Sequence, residues 1–434
     1  MNCNKELSPV TAVVVGFGDR AEIYSRYSLI APKELKIVAV VDPNKIRRDL
    51  AKKLFDIPEE FCFTDISQVL EKGKIADCII NGTMDNLHIQ TTLPFLKQGY
   101  DVLLEKPITA DKTELETLVK EVEKYKNKVV ICHVLRYTPF YKKIKEIINS
   151  GKIGEIKHIE TTENVGFCHA SISYIRGKWN NKDKCGSSYM LAKCCHDTDL
   201  LVWLNDKSKP IKVHSFGNKK YWIKEKAPLG SGNRCLVDCK IEKECPFSAK
   251  KMYLDNNPMP ITVWADRDKH YEDLTYEEKE HALKTDSPFG VCIYKTDANI
   301  VDQQTVTVEF SDGSTAYHSL ISGCARAGRR IKIYGTYGEI EGFTEDASFV
   351  VRTYNPQNIL FNEEKVDIKD DVAGDNHYGG DRRIMEDFVR VMRGQKPSIS
   401  TSSLDCSVLS HLLVYSADES METNKIVYLK DKIN

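Results

Sequence analysis

Long apolar runs are the first thing missing from this sequence. No stretch of its 434 residues approaches the roughly 18–20 consecutive apolar residues that a membrane span requires, so no membrane partner is expected. An excess of one charge is missing too. The 62 Lys and Arg stand against 63 Asp and Glu, a formal net charge of −1, which offers nucleic acid or an anionic surface no field to bind. The opening residues Met1–Leu7 are polar and lack a signal-type apolar stretch, so a cytoplasmic location is the expectation. Internal repeats and low-complexity tracts are absent, which excludes a solenoid or a disordered linker as the main architecture. Cysteine is not scarce: there are 14. They are scattered, and Cys78, Cys132 and Cys324 fall inside predicted elements, where a reduced thiol behaves as a small apolar side chain.

What is present is a chain too long for one ordinary core. Ala12–Gly16, Leu35–Val41, Ala76–Asn81, Asp101–Leu104 and Val129–His133 read as short buried strands. Helical patterns over Arg20–Ile30, Pro43–Phe55, Leu87–Lys97 and Lys112–Lys126 lie between them. This alternation predicts βαβ units and a parallel, Rossmann-type α/β sheet over residues 1–136. Residues 137–434 change character. A helix over Pro139–Asn149 and an alternating strand over Ile153–Thr162 precede an amphipathic or buried helix over Cys185–Leu204. Strands follow at Val301–Phe310, Thr315–Ile321, Arg330–Gly335 and Glu339–Phe343, with Asp312-Gly313 a hairpin turn. Helices near Arg382–Arg393 and Asp405–Glu422 close an α+β domain with a mainly antiparallel sheet. An irregular insert rich in Cys, Pro, Lys and Asp occupies about 217–300.

Two motifs carry chemistry in the first domain. Gly16-Phe17-Gly18-Asp19-Arg20-Ala21 is a GxGxxA turn between a strand and a helix. Its glycines allow a tight bend and a close approach to a pyrophosphate, and Ala21 allows helix and strand to pack. Asp42 ends the next strand, where a carboxylate takes ribose hydroxyls and repels a 2′-phosphate. NAD is the expected cofactor; Arg47 and Arg48 leave NADP open. Strand tips of a parallel sheet face the ligand crevice, so Asn81, Asn86 and His88 are candidate contacts. Glu105-Lys106-Pro107 stands at the tip of the following strand. Lys106 there is a cationic donor to a reacting oxygen, beside the cofactor-side Glu105.

A second cluster, Lys193-Cys194-Cys195-His196-Asp197-Thr198-Asp199, falls in a predicted helix. Lys193, His196 and Asp199 recur at intervals of three and share one face. An imidazole beside a carboxylate is a general acid/base near neutral pH; a satisfied core histidine is the bland alternative. Arg136 and Tyr137 follow the last parallel strand and are expected to line the crevice. In the insert, Cys235, Cys239 and Cys245 have the spacing C-x3-C-x5-C. That is not the paired CxxC of a zinc ribbon, so unpaired structural thiols and no metal are expected.

With the GxGxxA turn, Asp42, Asn86-Leu87-His88, Glu105-Lys106-Pro107 and Gly151-Lys152-Ile153-Gly154-Glu155-Ile156 on one chain, the sequence resembles the Gfo/Idh/MocA oxidoreductases (glucose–fructose oxidoreductase, inositol dehydrogenase). The resemblance covers about the first 205 residues well and the rest loosely. It implies hydride transfer between a nicotinamide and a sugar, polyol or glycoside. Lys106 and His196 would be catalytic, and Lys193 a substrate or proton-transfer residue. Relatives that cleave glycosides without net redox, and a non-catalytic nucleotide-binding regulator, are the alternatives. The family's second motif reads like DxGxHxxD; here Ala192 replaces the first Asp, which leaves the acid/base apparatus to Lys193 and His196 or to Asp197. The resemblance also places His377-Tyr378-Gly379-Gly380-Asp381 near substrate, though Asp381 is equally a natural helix N-cap. A carbohydrate substrate and a homodimer or homotetramer are the implied partners.

Overall fold

The computed structural model describes residues 8–265, 267–369 and 376–429. A first sheet has six parallel strands in the order β3-β2-β1-β4-β5-β6. These are β1 (Val10–Val15), β2 (Leu35–Val41), β3 (Cys62–Phe63), β4 (Cys78–Asn81), β5 (Asp101–Leu104) and β6 (Val129–Ile131). Order reverses between β1 and β4, so the ligand crevice of this doubly wound sheet opens at their C-terminal ends. Helices α1 (Asp19–Ser25), α2 (Lys45–Phe55), α3 (His88–Lys97) and α4 (Lys112–Tyr125) cross between strands. The Asn44 side chain caps α2, accepting from the Ile46 and Arg47 amides. Pro43 therefore precedes the helix rather than occupying its first turn.

Helix α5 (Pro139–Asn149) leads into a nine-stranded sheet of order β14-β13-β12-β11-β7-β10-β9-β8-β15. Only β7 (Ile156–Gly166) and β10 (Thr315–Cys324) pair in parallel; every other ladder is antiparallel. Helix α6 (Tyr189–Leu204) packs on this sheet. It starts four residues later than predicted because Gly186, at φ +83°, ends the short turn before it and Ser188 caps it. Of its 16 residues only Lys193 is not buried, so α6 reads as a core helix rather than an amphipathic one. The remaining strands are β8 (Pro210–Asn218), β9 (Gln303–Phe310), β11 (Gly328–Gly335), β12 (Gly338–Phe343), β13 (Ser348–Asn355), β14 (Leu360–Asp367) and β15 (Val427–Tyr428). β3, β8, β13, β14 and β15 were not foreseen; β3 is only two residues long, and β14 is exposed along nearly its whole length and has no alternation to read.

The C-terminal helices return to the first sheet. Ile384, Met385, Phe388 and Val389 of α7 (Gly380–Met392) share a core cluster with Ala12 and Val14 of β1. Leu404 and Leu412 of α8 (Leu404–Thr423) pack with Leu104 and Ile131. The 136/137 division thus separates the two sheets, while the last helices seal the parallel one. The insert has a core of its own, built on Met252, Tyr253, Val263, Trp264, Leu283 and Phe289.

Candidate active site

The nucleotide end is built from backbone constraints. Gly16 has φ +77°, and a Cβ on it would stand 2.9 Å from Thr83 in the loop after β4. Gly82 is as tightly placed: its Cβ would stand 2.8 Å from that of Ala21. Gly18 is the N-cap of α1 and has no side chain to engage the first-turn amides. A glycine cradle with free N–H groups fits a pyrophosphate. The Phe17 and Asn44 amides each donate to Asp42 at 2.8 Å, one to each carboxylate oxygen. Lone pairs remain on both oxygens for ribose hydroxyls. The Arg47 guanidinium lies 3.8 Å from this carboxylate, and Arg48 donates to the Asp42 and Pro43 carbonyls at 2.6 and 2.9 Å.

Three candidate contacts take different places. Asn81 is buried and donates to Thr91 and Thr92 Oγ1 at 2.9 Å while accepting from the Thr83 amide and hydroxyl. It shapes the loop from below rather than lining the crevice. His88 is buried as well, its ring nitrogens 2.7 Å from the Pro107 carbonyl and 3.0 Å from that of Thr83. It clamps the β4 and β5 loops together, and the Lys106–Pro107 bond is cis. Asn86 is the exposed one, packed against Gly186.

Arg20 joins both domains. Its guanidinium donates to Glu105 at 3.0 Å, to Asp381 at 2.5 Å and to the Tyr24 hydroxyl at 2.5 Å, and meets His377 Nδ1 at 3.2 Å. Glu105 also accepts from Tyr24 at 2.8 Å and from the Lys106 amide at 2.5 Å. Asp381 is not the N-cap of α7; Gly379 is, and the Asp381 carboxylate faces Arg20 and, at 2.8 Å, His377. Burial would raise Asp381, but Arg20 and His377 hold it far below the usual carboxylate range.

The residues expected to handle protons meet between β5 and α6. Lys106 Nζ donates to the Ala192 carbonyl at 2.8 Å, one turn before His196. His196 is buried, and its Nδ1 has no hydrogen-bond partner among the described residues. Burial, then the charge of Lys106, hold this imidazole well below its ordinary pKa, so it is neutral at pH 7. His133 stands edge-on to it at 5.8 Å, and His411 lies 5.7 Å beyond. His169, on the turn after β7, is likewise depressed by burial and by Lys193 and Lys106.

Lys193, His196 and Asp199 do not act on one face. Lys193 reaches Glu163 of β7 at 3.3 Å. Asp199 is locked in a buried bidentate pair with Arg136, at 2.6 and 2.5 Å. Tyr137 is buried too, its hydroxyl 3.3 Å from Asp387 and Ser402. Arg136, Tyr137 and Asp199 therefore brace the floor instead of lining the crevice. Asp197 receives Arg329 at 2.9 Å, and Arg329 also reaches Glu163 at 2.8 Å. Among the described residues, Cys194, Asp197 and His318 bring potential metal-ligand atoms within 4.8 Å of one another, but Arg329 already engages the carboxylate.

Both halves of the chain match one family. The oxidoreductase family with an NAD-binding Rossmann fold covers residues 10–133, and its C-terminal alpha/beta domain covers 145–403. The chain belongs to the Gfo/Idh/MocA oxidoreductases. Its first domain is accordingly an NAD-binding one. YteT of Bacillus subtilis, which carries an oxidoreductase name without a stated substrate, is 24% identical over 81% of this chain and 82% of its own length. An inositol 2-dehydrogenase of Corynebacterium glutamicum is 26% identical over 28% of this chain and 35% of its own. The scyllo-inositol 2-dehydrogenase (NADP(+)) IolW of Bacillus subtilis is 23% identical over 42% and 51%. Levoglucosan dehydrogenase, solved with NADH and L-sorbose, shares the fold with a TM-score of 0.71, at 14% identity over 97% of this chain and 99% of its own.

Within the Gfo/Idh/MocA frame, Ala192 stands where the second motif usually has Asp, and Lys106 takes the backbone carbonyl of that same residue. Sequence reading missed His169, His133, Glu163 and Arg329. His169 follows a strand with no motif around it. Glu163 and Arg329 lie one residue outside the strands expected at Ile153–Thr162 and Arg330–Gly335, and only β-ladder register reveals that they meet.

Proposed function

We propose that this chain is an NAD-dependent dehydrogenase of a sugar, polyol or glycoside hydroxyl, with Lys106 and His196 as catalytic residues. The observation that carries the reading is the Lys106 ammonium seated on the Ala192 carbonyl, one helical turn from a His196 held neutral. NAD, when bound at Gly16, Gly18 and Asp42, supplies the hydride acceptor. Lys106 exchanges the Ala192 carbonyl for the reacting oxygen and polarises it. The His196 imidazole, 8% exposed, takes the hydroxyl proton and returns it in the reverse direction. Lys193, tethered by Glu163, and His377, oriented by Asp381, supply further donors to substrate hydroxyls. The names of the inositol and levoglucosan dehydrogenases support the carbohydrate class. Asp42 favours NAD over NADP because its carboxylate repels a 2′-phosphate.

The test is incubation with NAD or NADP and a panel of free sugars, polyols and glycosides, reading NADH absorbance and product mass together. NADH formation matched by a two-hydrogen mass loss is expected. Aglycone release with flat absorbance would instead make the protein a redox-neutral glycoside hydrolase, and nucleotide binding without turnover a regulator. Tyr354, Leu360 and Phe361, exposed on β13 and β14, support a homodimer or homotetramer. Light scattering that returned the monomer mass would refute the assembly.

A further inference from the structure

The insert holds an arrangement that the C-x3-C-x5-C spacing alone does not reveal. A bridge between Arg234 and Val291 aligns two segments 57 residues apart; the Cys235 amide donates to the Gly290 carbonyl at 2.9 Å and the Cys292 amide to the Asn233 carbonyl at 2.8 Å. A fourth cysteine, distant in sequence, thereby joins Cys235. Cys239 and Cys245 belong to the same loop: the Cys239 amide packs against Gly232, beside the Asn233 that takes the Cys292 amide, and one guanidinium, that of Arg176, touches Cys235 Sγ, the Phe247 carbonyl two residues after Cys245 and the Val291 carbonyl just before Cys292. All four are free thiols.

The second observation is a buried cation without a carboxylate. Arg176 is 2% exposed. Its donors go to the Val291 and Phe247 carbonyls, the Ser171 and Tyr253 hydroxyls, Met252 Sδ and, at 3.6 Å, Cys235 Sγ. A buried charge needs a counter-charge, and sulfur is the anion-forming atom nearest to hand besides the tyrosine hydroxyl. The third is architectural. The insert is about 80 residues of turns and short helices around a small core, a size at which a metal commonly supplies what the core does not.

From this convergence we propose that Cys235, Cys239, Cys245 and Cys292 are the four ligands of a thiolate-bound metal centre, with Arg176 as its counter-ion. Tetrathiolate sites take a zinc ion or an iron–sulfur cluster. No three of the four sulfurs all lie within 4.8 Å of one another. A single zinc, with sulfurs at about 2.3 Å, requires the Cys239–Cys245 loop to close inward. The centre would anchor the turn Phe167–Ile175, since Ile172 packs in the insert core and His169 sits at the start of the same turn.

The test is metal and acid-labile sulfide analysis of the full chain purified anaerobically without chelator. About one zinc per chain, or iron and sulfide in equal amounts with a visible charge-transfer band, is the expected result and identifies which. Cys239→Ser and Cys245→Ser, at half-buried positions, are expected to lower bound metal about tenfold, while Cys168→Ser, outside the cluster, leaves it unchanged. Metal below a tenth of an equivalent, with no uptake of Zn²⁺ or of Fe²⁺ plus sulfide by the wild-type chain, overturns the proposal whether or not the variants fold. So does mass-spectrometric detection of Cys235–Cys292 or Cys239–Cys245 disulfides in the protein as isolated.

Discussion

The two ends of the crevice are built on opposite principles. At the nucleotide end the buried polar side chains already have partners: Asp42 two amides, Asn81 two threonines and a turn, His88 two carbonyls. At the substrate end, buried nitrogens of His133 and His196 have no partner among the described residues. Unmet buried polar atoms cost free energy, and a site tolerates them where a ligand or proton is to arrive. The first end is a finished mould for an invariant ligand; the second keeps its valences open for chemistry.

That contrast can be broken most severely at the open end. Lys106→Met and His196→Ala should each lower kcat by about 10²–10⁴-fold, the range of a lost acid/base group. NAD affinity, measured by calorimetry, should stay within a few-fold. Equal loss of NAD binding would erase the distinction. At the finished end, Asp42→Ala should weaken NAD about 10–100-fold, the worth of hydrogen bonds to a charged group, and narrow the gap to NADP. The smallest effect sharpens the contrast. Because burial and Lys106 depress His196, the acid limb of kcat/KM for oxidation should fall below pH 6.5, where His196 first gains its proton. Removing the Lys106 charge should move the residual activity's limb upward, and only part of the way, since burial is the larger cause.

Legibility followed the same divide. The parallel sheet could be read because each buried strand is a short apolar run closed by a turn signal, and the glycine turn because its backbone demands are local. Lys106 was visible as a strand tip. The partners of α6 were not: Lys193, His196 and Asp199 share an interval of three, yet the helix is enclosed, so each meets a different neighbour, Glu163, His133 or Arg136. Spacing along a helix tells which residues are adjacent on it, and nothing about what surrounds it. Cys292 was overlooked for a related reason, since a bridge across 57 residues leaves no periodic trace.

Arg20 carries a consequence for the order of events. One guanidinium stands in the nucleotide turn, on the carboxylate beside Lys106 and on a helix whose preceding loop carries His377. Any shift that a dinucleotide imposes on that turn reaches the substrate side of the crevice through these contacts. Reciprocity then requires that whatever factor the dinucleotide puts on substrate affinity, the substrate puts on the dinucleotide's. The two ligands are in conversation through a single side chain, and an Arg20→Gln protein would bind each as though the other were not there.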